Sequence, residues 1–452
     1  MPSLRFDQAL LPDGFERDVR ITIEDGRIAG VEPGAQPAPG DERHAIGLPG
    51  LANVHSHAFQ RGMAGLAERR GNSTDTFWTW RETMYRFALA MSPDDVEAVA
   101  AQLYAEMLES GFTRVGEFHY LHHDRDGRPY ADIGEMAGRL ASAASATGIG
   151  LTLLASFYAH STFGGTAPHE SQRRFICSID QFAKLLESSR GHIAPLAGAN
   201  LGVAPHSLRA VTPDELAAVV AMWPSGPIHI HAAEQTKEVD DCIAWSGRRP
   251  VEWLLGNAPL DARWCLIHAT HMTADEIRAL ARSGATAGLC PVTEANLGDG
   301  IFPGAEYLGQ GGRIAIGTDS NILVDAGGEL RQLEYAQRLR SRQRNVLGDA
   351  NARSTGRVLF DAALKGGAAA LACGASGIVE GAAADLVSLD PHNPALIGRN
   401  GDGLIDAWVF AARSSPIDCV WAGGRKVVEG GRHRDRDAIV ARFQRCVEGL
   451  LG

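Results

Sequence analysis

Eight apolar runs punctuate the middle of this chain, and each ends on or beside a polar residue. They close near His57, Tyr120, Tyr158, Ser207, Glu234, Thr270, Pro291 and Ser320. Between most of them lie stretches with helical periodicity, and several carry start signals. Ser92 precedes Pro93 as an N-cap before a proline at the first helical position. Thr212-Pro213-Asp214-Glu215 opens a helix in the same way, and Thr273-Ala274-Asp275-Glu276 resembles a capping box. Eight strands alternating with helices predict an α/β fold, a (β/α)8 barrel of the TIM type. Functional groups in that architecture gather at the C-terminal ends of the strands.

The two ends of the chain read differently. Asp18 to Val31 alternates apolar and polar residues around Asp25-Gly26, a hairpin signal. Near the C-terminus, Asp385 to Asp390 reads as a strand and Val420 to Val428 as a hairpin turning on Gly423-Gly424. Two β-rich ends around a different middle predict a small β-sandwich domain built from both termini. Its expected bounds are 1–47 plus 380–452, with the barrel at 48–379.

With 452 residues, 45% of them hydrophobic, the chain can bury a large core. A net charge of -11 with no basic cluster argues against nucleic acid and against an anionic membrane surface. No apolar run is long enough to span a bilayer, and Met1-Pro2-Ser3-Leu4-Arg5-Phe6 carries no signal-peptide core. The seven cysteines are scattered with no CxxC, as in a reduced cytoplasmic protein. Lysine occurs only at Lys184, Lys237, Lys365 and Lys426, so arginine supplies nearly all positive charge. An anionic substrate would have to be met by particular arginines.

The strand ends carry the chemistry. His55-Ser56-His57 ends the first run, and residues two apart on a strand share a face. On the fifth run His229 and His231 share a face. His231 lies nearer the end and reads as a ligand, whereas His229, one layer deeper, reads as a hydrogen-bonded core histidine. Glu234 follows three residues on, placed to move protons. His268 ends the sixth run and Asp319 the eighth. Histidines with a carboxylate at successive strand ends suit a mononuclear zinc hydrolase. The fourth run, Ala199 to His206, lacks a lysine that could be carbamylated to bridge two metals, so one metal is expected rather than two.

His55-Ser56-His57, His231-Ala232-Ala233-Glu234, His268 and Asp319 together resemble the amidohydrolase superfamily, in its mononuclear deaminase branch. Gly381-Ala382-Ala383-Ala384-Asp385-Leu386-Val387 is similar to its late G-x-x-A-D-L-V strand. Finer likeness comes from Asn53 to Arg61, Phe77 to Tyr85, Gly116 to Tyr120 and Pro205 to Arg209, which resemble the formimidoylglutamate deiminase family of histidine degradation. That family hydrolyses N-formimidoyl-L-glutamate to N-formyl-L-glutamate and ammonia. The resemblance implies one zinc ion per chain on His55, His57, His231 and Asp319, with Glu234 and His268 as the acid/base pair. Asp319 would also orient the attacking water. Gln60, Arg81, Tyr120, His206 and Arg209 become substrate contacts.

The residues read on their own agree with a small dicarboxylate as partner, since a planar guanidinium binds a carboxylate bidentately and stays charged. Arg81 and Arg209 belong to segments that follow the first and fourth strand ends. A homodimer is expected, with the long segment bearing Trp78 and Trp80 serving as a lid or as a dimer contact. The competing readings are a deaminase of guanine, cytosine or an adenosine derivative, a hydantoinase-like ring hydrolase, and a barrel used as a non-catalytic scaffold. The missing lysine argues against the second and the complete ligand set against the third.

Overall fold

The computed structural model describes residues 3–68, 76–349 and 353–452. Met1 and Pro2, where the terminal domain was expected to begin, lie outside the described residues. Four strands open the chain, β1 (Ser3–Leu11), β2 (Gly14–Glu24), β3 (Arg27–Glu32) and β4 (Asp41–Pro49). Eight more follow, separated by helices: β5 (Leu51–Ser56), β6 (Phe112–His119), β7 (Gly150–Phe157), β8 (Asn200–Pro205), β9 (Ile228–Ala232), β10 (Trp264–His268), β11 (Thr286–Leu289) and β12 (Arg313–Ile316). These eight lie side by side in chain order and pair in parallel throughout. They are apolar on both faces, as strands wrapped by helices must be; every residue of Trp264–His268 is buried.

The barrel closes where β5 meets the end of β12. Thr318 N and Asp319 N both donate to His55 O, at 3.0 and 2.9 Å, and His57 N donates back to Asp319 O at 3.0 Å. Gly317 makes this approach possible, because an added Cβ would lie 2.8 Å from His55 N. The expected helix starts are present. Ser92, Thr212 and Thr273 each cap a helix through a reciprocal box, with Asp95, Glu215 and Glu276 as the returning partners.

The termini form one mixed sheet that adds β13 (Leu386–Leu389), β14 (Ile417–Ala422), β15 (Arg425–Glu429) and β16 (Arg432–His433), in the order β16-β15-β14-β13-β4-β1-β2-β3. The Asp25-Gly26 turn has φ of 49° and 76°, the left-handed pair that a tight two-residue hairpin requires. The expected sandwich arises because this continuous sheet folds over on itself. Ile28 N bonds Ala382 O at 2.9 Å, and Phe6 meets Trp421 edge-on at 6.3 Å. Leu4, Phe6, Val19, Ile21, Leu386 and Trp421 fill the space between its halves.

The chain crosses from sheet to barrel at Gly50 with no linker. Gly50 N bonds Asp385 O at 2.9 Å, and a Cβ there would stand 2.2 Å from Thr113. Two helices of the C-terminal stretch pack on the barrel instead of the sheet. Asp402–Ala411 lies against Thr355–Ala370, and Arg436–Leu451 lies against Pro93–Glu109, tied by Arg442 to Glu97 at 2.5 Å. Among the described residues no helix is long and apolar enough to cross a membrane.

Candidate metal centre and active site

His55, His57, His231 and Asp319 converge at the C-terminal end of the barrel, all buried, with one candidate ligand atom from each within 4.8 Å of the others. Each orientation has a local cause. His57 Nδ1 donates to Phe118 O at 2.8 Å, and His231 Nδ1 donates to His206 O at 2.8 Å. Those bonds fix the tautomers and turn both Nε2 lone pairs inward. Burial then holds His55, His57 and His231 below the ordinary imidazole range, so all three are neutral and able to ligate.

A metal fits this arrangement. His55 Nε2 stands 3.1 Å from His231 Nε2, and Asp319 Oδ1 stands 3.3 Å from both His55 Nε2 and His57 Nε2. Ligands about 2.0–2.1 Å from a tetrahedral zinc have an edge of about 3.3 Å. Without a cation between them, the inward lone pairs and carboxylate oxygen would repel.

Strain collects on the same rim. Ala233, His268, Ala269, Asp319 and Asn321 are non-glycine residues with φ between 46° and 70°. Such backbone persists only where surrounding bonds over-determine it, and it clusters at functional sites. Asn321 is one such clamp, its amide bonded to His57 O at 3.1 Å and Asp319 O at 2.9 Å.

Glu234 stands beside the cluster, with Oε1 3.5 Å from His268 Nε2 and Oε2 3.7 Å from Arg209. Burial lifts its pKa above the ordinary carboxylate value, against the pull of His268 and Arg209. For His268, burial opposes the charged form but is outweighed by the carboxylates of Glu234, Glu294 and Asp319, which raise it. The pair is therefore poised to hold a proton between them, the property needed of an acid/base couple.

A cleft opens above the cluster. Gln60, Arg81, Tyr120, His206 and Arg209 all line it, together with His57, His231, Glu234 and Asp319. Gln60 Nε2 donates to Tyr120 Oη at 3.0 Å, and its own carbonyl oxygen is buried without a partner. Arg81, on the helix Phe77–Ala90, donates to Tyr85 Oη and lies 5.4 Å from the Trp78 ring centre. Arg209 approaches the same indole at 5.8 Å, and its buried Nε has no hydrogen-bond partner among the described residues. Two guanidiniums thus share one aromatic ring, which offsets part of their mutual repulsion. His229 is a core residue, bonded to Ala370 O at 2.8 Å, and His271 is a loop residue bonded to Asp299 O at 2.8 Å.

Sequence reasoning missed several neighbours. Tyr85 and Tyr158 line the cleft, and Gln172 joins them by bonds of 3.2 and 2.8 Å. Glu294 accepts from His268 Nδ1 at 3.2 Å. Asp299 is buried near Glu234 and pushed up by that burial. Glu117, raised to about 8 by burial, accepts from Ala58 N at 2.6 Å and anchors the backbone just after His57. Two of them had a usable signal: Tyr158 closes an apolar run, and Glu117 is a carboxylate within one.

Comparison with known proteins places the chain. The Amidohydrolase family model matches residues 46–427, and that of the N-terminal domain of formimidoylglutamate deiminase HutF matches residues 6–45. A curated formimidoylglutamate deiminase from Pseudomonas aeruginosa is 50% identical over 455 residues, with 100% of both chains covered. An 8-oxoguanine deaminase of the same organism is 30% identical over 349 residues, 73% of each chain. A crystal structure of an amidohydrolase from Brucella melitensis aligns with a TM-score of 0.97 at 57% identity, covering 100% of each chain. The chain belongs to the amidohydrolase family, in company with the formimidoylglutamate deiminases that share its N-terminal domain and full length.

Proposed function

We propose that this enzyme hydrolyses N-formimidoyl-L-glutamate to N-formyl-L-glutamate and ammonia, using one zinc ion per chain. The observation that carries the reading is a single cleft with a metal-ligand cluster at its base and two arginines, Arg81 and Arg209, on its wall. The full-length relative at 50% identity bears the same activity in its name. His55, His57, His231 and Asp319 would hold the zinc. The chemistry supplied by a bound zinc is Lewis acidity, which brings the pKa of a water down to about 7.

The protein's own groups do the rest. Arg81 and Arg209 each take one substrate carboxylate, which stretches the substrate along the cleft and leaves its formimidoyl carbon over the strand ends. Gln60, Tyr120 and His206 line the path between. Water adds to that carbon, forming the new C–O bond. Glu234 accepts the proton released and delivers it to the terminal nitrogen. The hydroxyl proton of the adduct then passes, again through Glu234, to the same nitrogen as the C–N bond breaks, so that ammonia leaves and the carbonyl of the formyl product forms. His268, close to both Glu234 and Asp319, orients the incoming oxygen. The seven cysteines are all unpaired, which fits a reducing cytoplasm. The expected homodimer belongs to the same proposal, and the molar mass in solution tests it.

One assay decides the substrate. Ammonia release is measured from formimidoylglutamate, formimidoylglycine, guanine, cytosine and adenosine, with wild type and Arg209→Met. Wild type should favour formimidoylglutamate strongly. Arg209→Met should lower kcat/KM on it by a factor equivalent to roughly 2–5 kcal/mol, the scale of a broken charge-assisted pair, with zinc content unchanged. Equal turnover of formimidoylglycine and formimidoylglutamate by both proteins would overturn the substrate. Preference for a nucleobase would transfer the enzyme to the branch of the 8-oxoguanine deaminase.

A further inference from the structure

Behind His268, on the side away from Glu234 and Asp319, stands a carboxylate to which the proposed reaction gives no part. Glu294 lies on the short helix Pro291–Leu297, directly after β11, and is buried. One oxygen, Oε1, accepts from Cys290 N at 2.9 Å and from His268 Nδ1 at 3.2 Å. The backbone bond pins the carboxylate, so it cannot swing away from the imidazole. The helix is itself pinned. Thr293 Oγ1 donates to Thr318 O at 3.0 Å and meets Ser320 Oγ at 3.0 Å, which ties it to the turn carrying Asp319.

An ionised carboxylate is an acceptor only. Facing one, His268 must present Nδ1–H and therefore aim Nε2 the other way. Nε2 lies 3.5 Å from Glu234 Oε1 and 3.8 Å from Asp319 Oδ2, and it is buried without a hydrogen-bond partner among the described residues. A buried imidazole nitrogen left unpaired and aimed between two carboxylates is waiting for a group that arrives with the reactants. A flipped ring would set a C–H against Glu294 and forfeit that bond. We propose that Glu294 is a positioning residue for the reaction: it holds Nδ1–H and so fixes the ring angle of His268, while its helix holds His268 in register with Asp319. The proposal rests on the hydrolytic reading of this site.

The decisive variants are Glu294→Gln and Glu294→Asp. Glutamine keeps the size, and because one oxygen serves both Cys290 N and His268 Nδ1, its neutral amide oxygen replaces a charged acceptor and holds Nδ1–H more weakly. Glu294→Gln should lower kcat by roughly 10–100-fold, the usual scale for a partner lost behind a functional imidazole. KM, zinc content and Tm should stay at wild-type values. Glu294→Asp restores the charge and should recover part of kcat. A second readout needs no turnover. In ¹⁵N-histidine-labelled protein, the His268 Nδ1–H signal, assigned with His268→Gln, should lie at a strongly hydrogen-bonded shift in wild type and move toward the free value in Glu294→Gln. A kcat for Glu294→Gln within about twofold of wild type, or an unchanged His268 spectrum, overturns the proposal. If wild type does not turn over formimidoylglutamate, the substrate reading fails, and the spectrum alone decides the role of Glu294.

Discussion

At the scale of single residues, the site sets neutral imidazoles against a carboxylate in a buried space. His55→Ala or Asp319→Ala removes one of four converging ligands, so each should lose metal and activity together; full zinc occupancy in both, by metal analysis, would refute the ligand set. Glu234→Gln keeps the shape and cannot carry a proton. It should retain zinc and lose roughly 10²–10⁴ in turnover, the scale of general acid/base catalysis. Near-normal turnover would make Glu234 a bystander. The residues that the sequence offers here share one property, a polar side chain at the end of an apolar run. His55, His57, His231, His268 and Asp319 all have it, and the structure brings them together. Glu294 and Asp299 do not, because they follow the seventh strand on a short helix and loop. Nothing in Pro291-Val292-Thr293-Glu294 separates a buried carboxylate from an ordinary first-turn helix glutamate until β10 and β11 are placed side by side.

At the scale of elements, the barrel was legible because periodicity reports burial, and burial on both faces is what a parallel strand between helices requires. Boundaries of the eight runs fall within a few residues of β5 to β12. The curl of the terminal sheet was not legible, since a hairpin pattern such as Asp18 to Val31 shows which face is apolar and not what it will be laid against. The seam between β5 and β12 is the mechanically tight point. Gly317 has His55 N and O 2.8 Å from where a Cβ would stand, and backbone atoms cannot step aside as a flexible side chain can. Gly317→Ala should cost about 1–3 kcal/mol by overpacking. It should also weaken metal retention, because the displaced strand carries His55. Thermal unfolding together with competition against a chelator measures both. A loss of stability with undiminished affinity for metal would show that the seam and the ligands are independent.

For the molecule as a whole, the buried histidines make stability depend on pH. In the metal-free protein His55, His57, His206 and His231 are held below 6.5 by burial, whereas in the unfolded chain they titrate near 6.5. Below that value the unfolded state binds more protons, so their contribution is whole above 6.5 and is lost as the pH falls. His268 is raised, so its contribution has the opposite sign: it is whole below 6.5 and is lost as the pH climbs from there toward about 10. Glu234, Glu117 and Asp299, raised by burial, act in the same direction as His268, so the sign of one histidine is read by removing it: metal-free His206→Asn should lose less Tm than the metal-free wild type between pH 7.5 and 5.5. Parallel Tm curves over that interval would contradict the neutral assignment. The absence of a linker at Gly50 has a consequence in time. The strand that leads straight to His55 is β4, and its neighbour on one side, β13, is translated roughly 340 residues later, about 17–70 s at ordinary synthesis rates. Until then β4 offers an open edge to any passing strand, and the first pair of metal ligands hangs from a half-built sheet. The nascent chain must guard that edge until β13 emerges, and only then does the strand that leads to His55 gain its second neighbour.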